Sequence, residues 1–283
     1  MKFIKENAEF FIPDGSNFKD AISRTTHMAI GAHQDDLEIM AIDGILKCYQ
    51  KEDKWFFGVV VTNGAGSART GEFKDYTDEE MQAIRKEEQR EAARIGKFGG
   101  VVQLDYPSGE AKDPHNYKVI VELARLIEQA KPEVLYTHNL ADKHDTHLGV
   151  VTKTIRAIRT LKNAARPKKL YGCEVWRDLD WMNDEDKILF DVSGNNELSL
   201  KLINIFASQI AGGKRYDLAT IGRRLSNATY ASSHTVDETD AIIYGIDLTP
   251  LIENDDLDIA KYIENYIDRF KNEVISKLAK VLK

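Results

Sequence analysis

The chain has 283 residues, enough for one large α/β domain or for such a domain with an added C-terminal part. Hydrophobic residues make up 42 % and charged residues 30 %, an ordinary globular balance that argues against disorder. The net charge of −7 and the lack of any basic run argue against a nucleic-acid partner.

Charges interrupt the N-terminal MKFIKENAEFFIPDGSNFKD every few residues, so no signal-peptide core is expected. No run of about 18 apolar residues follows to span a membrane, which leaves a cytoplasmic location as the default expectation. Residues 27–32 (HMAIGA) form a compact apolar run, followed by helix-compatible spacing over 37–49. Residues 55–62 (WFFGVVVT) read as a buried strand, broken by the loop NGAGS. A long charged helix is predicted over 77–96, starting at Thr77-Asp78-Glu79-Glu80. Residues 101–104 predict a short strand that ends at the turn Pro107-Ser108-Gly109. An amphipathic helix follows over 117–130 and stops before Pro132. Then come a strand at 133–137, a loop, and a helix over about 146–163, with further strands at 170–176 and 188–192. After residue 194 the pattern is mainly helical, with candidates at 195–210, 214–230 and 256–282 and a turn at Thr249-Pro250. The two cysteines, Cys48 and Cys173, lie among apolar neighbours and form no C-x-x-C pair, so buried thiols are expected.

This alternation predicts a mostly parallel sheet with helices on both faces, α/β in class. The chain reads as a single domain over 1–283, with a core at about 26–195 and a mainly helical C-terminal elaboration at about 196–283. Ligands of such sheets bind beyond the carboxyl ends of the strands.

Two segments at such ends are rich in ligand-type residues. In AHQDD, three ionisable side chains crowd into residues 33–36, and a divalent cation relieves that crowding. His33 and Asp36 lie three apart and can face one point, with Asp35 nearby but pointing elsewhere. In residues 137–147 (THNLADKHDTH), His144 and His147 are spaced i, i+3 at a helix start. Singly, each of these residues also fits a helix cap or a solvated loop. Together they offer two histidines and one carboxylate around an open fourth position, the arrangement of catalytic zinc. Asp35 is then available to take a proton from water, and His144 to give one to a leaving amine.

With AHQDD (residues 32–36) and DKHDTH (residues 142–147), the chain resembles the LmbE/PIG-L family of zinc-dependent de-N-acetylases. That family carries A-H-P-D-D and D-x-H-x-D-H in the same order. Weaker resemblances are VVVTNGAGSA (59–68), Arg85 with Glu88, and LDYPSG (104–109), and the likeness spans about residues 26–165. The resemblance implies a Rossmann-like fold and one Zn2+ held by His33, Asp36 and His147. It makes Asp35 the general base and His144 the general acid, and it gives Arg85 a substrate-binding role. The implied substrate is a small N-acetylglucosamine-type amino sugar or its conjugate, which loses acetate. Gln34 stands where the family has proline. Asp145-Thr146 stands where it has Pro-Asp, so the carboxylate usual beside the acid histidine is missing, and Asp142 or Asp145 is offered in its place.

Further pocket candidates come from residues 212–234: Arg215, Arg223, Arg224, Asn227, Tyr230 and His234. His138 is a candidate for substrate binding or for supporting a ligand. Two alternatives stay open, namely a metal-dependent hydrolase of another amide or ester, and a non-catalytic metal- or sugar-binding relative. Self-association is left open by the sequence.

Overall fold

A computed structural model of the protein describes residues 2–67, 69–211, 213–232 and 234–282. Ala68, Gly212 and Ser233, from segments singled out above, lie outside them. Eight strands form one sheet: β1 (Glu9–Phe11), β2 (His27–Gly31), β3 (Phe56–Thr62), β4 (Gly100–Tyr106), β5 (Val134–His138), β6 (Lys169–Cys173), β7 (Ile188–Asp191) and β8 (Ile242–Asp247). Their order across the sheet is β1-β4-β3-β2-β5-β6-β8-β7. The central pairings β4-β3-β2-β5-β6 are parallel; β1 adds antiparallel at one edge, and β8 and β7 add antiparallel at the other.

The helices are α1 (Phe18–Ser23), α2 (Asp36–Met40), α3 (Ile42–Cys48), α4 (Asp78–Ile95), α5 (Ser108–Lys112), α6 (Tyr117–Ala130), α7 (Asp145–Arg159), α8 (Asn196–Asn204), α9 (Ala207–Ala211), α10 (Tyr216–Tyr230), α11 (Pro250–Glu253) and α12 (Ile259–Val281). They cover both faces, and the strands supply each face in alternation. Met28, Ile30, Phe57, Val59, Val102 and Leu135 pack on the side of α6 and α7. Ala29, Phe56, Val60, Val101 and Tyr136 pack on the side of α2 and α3.

Local signals explain several boundaries. Thr77 caps α4 as the sequence suggests: Glu80 N–H donates to Thr77 Oγ1 at 3.2 Å and Thr77 N–H to Glu80 Oε2 at 2.8 Å. The helix α6 ends at Lys131 in the left-handed region (φ 46°), because Pro132 follows. Cys48 and Cys173 are buried and free.

The C-terminal part is mainly helical, as expected, and also supplies Ile242–Asp247 to the sheet as β8 between β6 and β7. Two expectations need correction. The predicted helix over 37–49 breaks at Ala41 into α2 and α3. The turn at Pro107-Ser108-Gly109 instead opens α5, with Pro107 as its N-terminal flank.

The topology fixes one special place. From β2 the chain moves to β3 and β4 on one side, then crosses back to β5 on the other. The loops after β2 and β5 therefore diverge across a crevice at the carboxyl ends of the strands, the place where such sheets bind ligands.

Candidate functional site

The AHQDD turn leaves β2 and enters α2 at this crevice. The backbone at Asp35 has φ 95°, an unfavourable conformation for a residue with a Cβ. Four hydrogen bonds hold the turn. Arg85 Nη2 donates to the Gln34 carbonyl at 2.6 Å. Gln34 Nε2 donates to Gln103 Oε1 at 3.0 Å and to the Thr62 carbonyl at 3.3 Å. His33 N–H donates to Asp36 Oδ2 at 2.6 Å. The fully buried Gln34 side chain thus ties the turn to β3 and β4, where a proline would have stiffened the backbone instead. Gly64 makes room for this: a Cβ there would lie 2.8 Å from Gln34 Oε1.

Three ligand-type side chains converge at the crevice. His33 Nδ1 lies 3.3 Å from Asp36 Oδ2, His147 Nε2 lies 3.4 Å from Asp36 Oδ1, and the two ring nitrogens are 3.2 Å apart. A tetrahedral zinc with bonds of about 2.0–2.2 Å holds its ligand atoms about 3.3–3.6 Å apart, so this donor set fits such an ion. The chemistry fits too, because lone pairs of two imidazoles and a buried carboxylate point at one place. Burial alone would raise the Asp36 pKa. His147 and His138, with a bond from His33, outweigh it and hold Asp36 well below the usual carboxylate range.

Two further rings stand nearby, each with one nitrogen bonded to the backbone. His33, His144 and His147 form one cluster of potential ligand atoms, and Asp36, His138 and His147 another. His138 Nε2 accepts the Ala32 N–H at 2.9 Å, and His144 Nδ1 accepts the Thr146 N–H at 3.3 Å. One lone pair of each of these rings is spent on the backbone, while His33, Asp36 and His147 face one another with no such backbone bond at the converging ring nitrogens.

Asp142 supports that set. Its Oδ2 lies 3.3 Å from His147 Nδ1 and accepts the Trp176 N–H at 3.2 Å, while Oδ1 accepts the His144 N–H at 3.0 Å. A carboxylate behind a ligand histidine fixes its orientation and raises its basicity. Asp142 therefore orients His147 rather than standing in beside the His144 ring, and Asp145 is exposed. The bond from Thr146 N–H leaves His144 Nδ1 without a hydrogen, so a neutral His144 carries its hydrogen on Nε2. Burial, reinforced by His147 and His33, lowers the His144 pKa.

A cavity of about 360 Å³ opens over these groups. His33, Asp35, Asp36, Arg85 and His144 line it, and Asp35 Oδ2 lies 3.9 Å from Arg85 Nη2. Burial raises the Asp35 pKa well above its ordinary value; Arg85 opposes this, while Asp36 and Glu88 add to it.

The remaining predicted residues divide. His138 does not line the cavity; it is fully buried beneath Asp36, 3.4 Å from Oδ2. Arg215 and Arg223 line an adjoining groove rather than the cavity. Arg215 pairs with Asp217 at 2.7 Å, and Arg223 Nη1 donates to the Val175 carbonyl at 2.5 Å. Arg224 and Asn227 are buried, and Tyr230 and His234 are exposed.

Sequence reasoning missed Lys112, Trp176, Lys214 and Tyr216 on the cavity wall. The Trp176 ring meets the Tyr216 ring edge-on at 5.9 Å, and Lys214 Nζ stands 5.2 Å from the Trp176 ring centre. Lys214 and Tyr216 flank Arg215 in the segment the sequence marked.

Fold and site define an α/β protein with a Rossmann-like sheet and, at the switch point, a His/Asp cluster that could hold a metal ion. Residues 28–158 match the family model PIG-L, described as GlcNAc-PI de-N-acetylase. No curated protein matches the chain in sequence.

Solved structures share the fold. The N,N'-diacetylchitobiose deacetylase of Pyrococcus horikoshii is 17 % identical with a TM-score of 0.62, covering 81 % of this chain and 86 % of its own. The conserved protein TT1542 of Thermus thermophilus is 18 % identical with a TM-score of 0.60, covering 80 % and 95 %. GalB, the 4-carboxy-2-hydroxymuconate hydratase of Pseudomonas putida, is 17 % identical with a TM-score of 0.61, covering 79 % and 96 %.

Proposed function

We propose that the protein is a zinc-dependent hydrolase that removes the N-acetyl group from an N-acetylglucosamine-type amino sugar or its conjugate and releases acetate. The observation that carries this reading is the convergence of His33, Asp36 and His147 at 3.2–3.4 Å, with Asp35 and His144 on the wall of the same cavity. The match to a de-N-acetylase family supports the choice of reaction.

His33, Asp36 and His147 would hold Zn2+. When bound, it supplies Lewis-acid polarisation of the acetyl carbonyl and lowers the pKa of a water at the open position. Asp35, on the cavity wall, would take the proton of an attacking water whose oxygen bonds to the carbonyl carbon. His144 would serve as the acid only as the imidazolium, once Nδ1 has given up the Thr146 N–H and taken a proton; it would then give its Nε2 proton to the sugar nitrogen as the carbon–nitrogen bond breaks, so acetate and a free amine leave. Asp142 keeps His147 in orientation. Arg85 sets the turn that aims Asp35 and reaches the cavity to meet a polar group of the substrate. Trp176 and Tyr216 offer a ring surface for a sugar or its aglycone.

The fold also serves a hydratase, so fold alone does not choose the reaction. The test is a product screen over N-acetylglucosamine conjugates, with zinc content measured in parallel. Acetate released in proportion to bound zinc is the expected result. Bound zinc with no acetate from any conjugate, but with another amide, an ester or a water-addition substrate consumed, would replace this reading.

A further inference from the structure

The helix α12 has no buried residue along its whole length. Its first half meets the domain: Ile259, Tyr262, Ile263 and Tyr266 pack against the core, Phe270 touches the Trp181 ring, and Arg269 pairs with Asp186. Beyond that point its apolar side chains stay largely exposed. Yet Ile267, Phe270, Val274, Leu278, Val281 and Leu282 recur at helical spacing and form one apolar stripe. These six are between 37 % and 80 % exposed. Scattered exposed leucines need no explanation, but a continuous stripe on a free helix does.

We propose that this stripe is the interface between two copies of the chain, paired antiparallel along α12. The area is of the right order. The six side chains leave roughly 600 Å² uncovered per copy, against the roughly 800 Å² per partner of a standard interface, so flanking contacts need add little. The charge pattern selects this occupant over an anionic lipid surface. Glu273 and Lys277 pair on one edge of the stripe, and Asp268 and Lys271 pair at 3.7 Å on the other, beside Glu264. Both edges carry acids, and the chain as a whole is −7. In an antiparallel two-fold pair, each edge lies along the same edge of the other copy. An axis beside Ile275 then places Glu273 opposite Lys277 of the second copy, twice over. It also sets Phe270 between Leu278 and Val281 of that copy. None of these residues lines the reaction cavity, so the inference is independent of the proposed chemistry.

Sedimentation equilibrium on the full chain tests it. The wild type is expected at twice the mass of one chain. Leu278→Glu buries a charge in the stripe and should weaken the pair by about 100-fold or more, with helix content unchanged by circular dichroism. Glu273→Lys should weaken it by about tenfold, and Glu273→Lys with Lys277→Glu should restore it. A wild type at the mass of one chain overturns the proposal, and so does a Leu278→Glu variant that pairs like wild type. Failure of the double exchange to restore pairing overturns the antiparallel register. A monomeric wild type that floats with phosphatidylserine vesicles reassigns the stripe to lipid.

Discussion

Replacing Asp142 by asparagine tests the link between the loop after β5 and the metal-type centre. Asp142 is almost fully buried and serves three groups: the His147 ring at 3.3 Å, the Trp176 N–H at 3.2 Å and the His144 N–H at 3.0 Å. Asparagine keeps the shape and one oxygen. Its NH2 group must then face the His144 N–H, or else face the Trp176 N–H and the His147 ring, and a donor meets a donor in either case. If it turns toward His147, that ring loses its carboxylate partner and with it part of its basicity. Losses of this kind cost metal affinity about 10- to 100-fold, or roughly 1.4–2.7 kcal/mol. The assay is zinc competition against a chromophoric chelator at fixed pH, with melting followed separately to record lost backbone bonds. Zinc affinity within about twofold of wild type, in a variant with native helix content, would refute the orienting role of Asp142.

Other expectations follow from the same geometry. Gln34→Ala removes both side-chain bonds that fasten the turn and strands Gln103 Oε1, so urea unfolding should show a loss of about 1–3 kcal/mol. Burial raises the Glu174 pKa above 4.5 despite bonds from the Leu179 and Tyr244 N–H groups and from Asn227. An acid whose folded pKa is raised stabilises the fold below its ordinary pKa, and that contribution is lost as pH rises through the folded value. Stability of wild type should therefore fall across that window, and Glu174→Gln should flatten the fall in urea titrations run at several pH values. Trp176→Ala removes the ring surface of the cavity and should raise KM more than it lowers kcat, by about tenfold, on whichever conjugate the screen identifies.

What the sequence made legible follows from range. The strands β2, β3 and β5 carry apolar runs bounded by polar loops, and the amphipathic helix α6 matches its predicted limits. The clusters after β2 and β5 were visible because ionisable residues crowd where a strand ends. The strand β8 was not: IIYGID is a short run without alternation, set among helical patterns, and only its partners β6 and β7 make it a strand. The three-residue β1 exists by virtue of β4 in the same way. Among site residues, Trp176 and Lys214 reach the cavity through folds of the chain far from either motif, so no local spacing marks them. Gln34 showed the opposite. Its departure from the family pattern was plain in the sequence, but its compensating bond to Gln103, 69 positions away, was not.

The central claim is that His33, Asp36 and His147 hold the metal while Asp35, beside them, takes the proton. Asp35→Asn measures it most directly, with acetate release and zinc content read on the same sample. The account predicts zinc bound at wild-type stoichiometry and acetate release reduced by about 100-fold or more. Acetate release near wild type would contradict the assigned role of Asp35, and loss of zinc with loss of activity would move Asp35 into the ligand set.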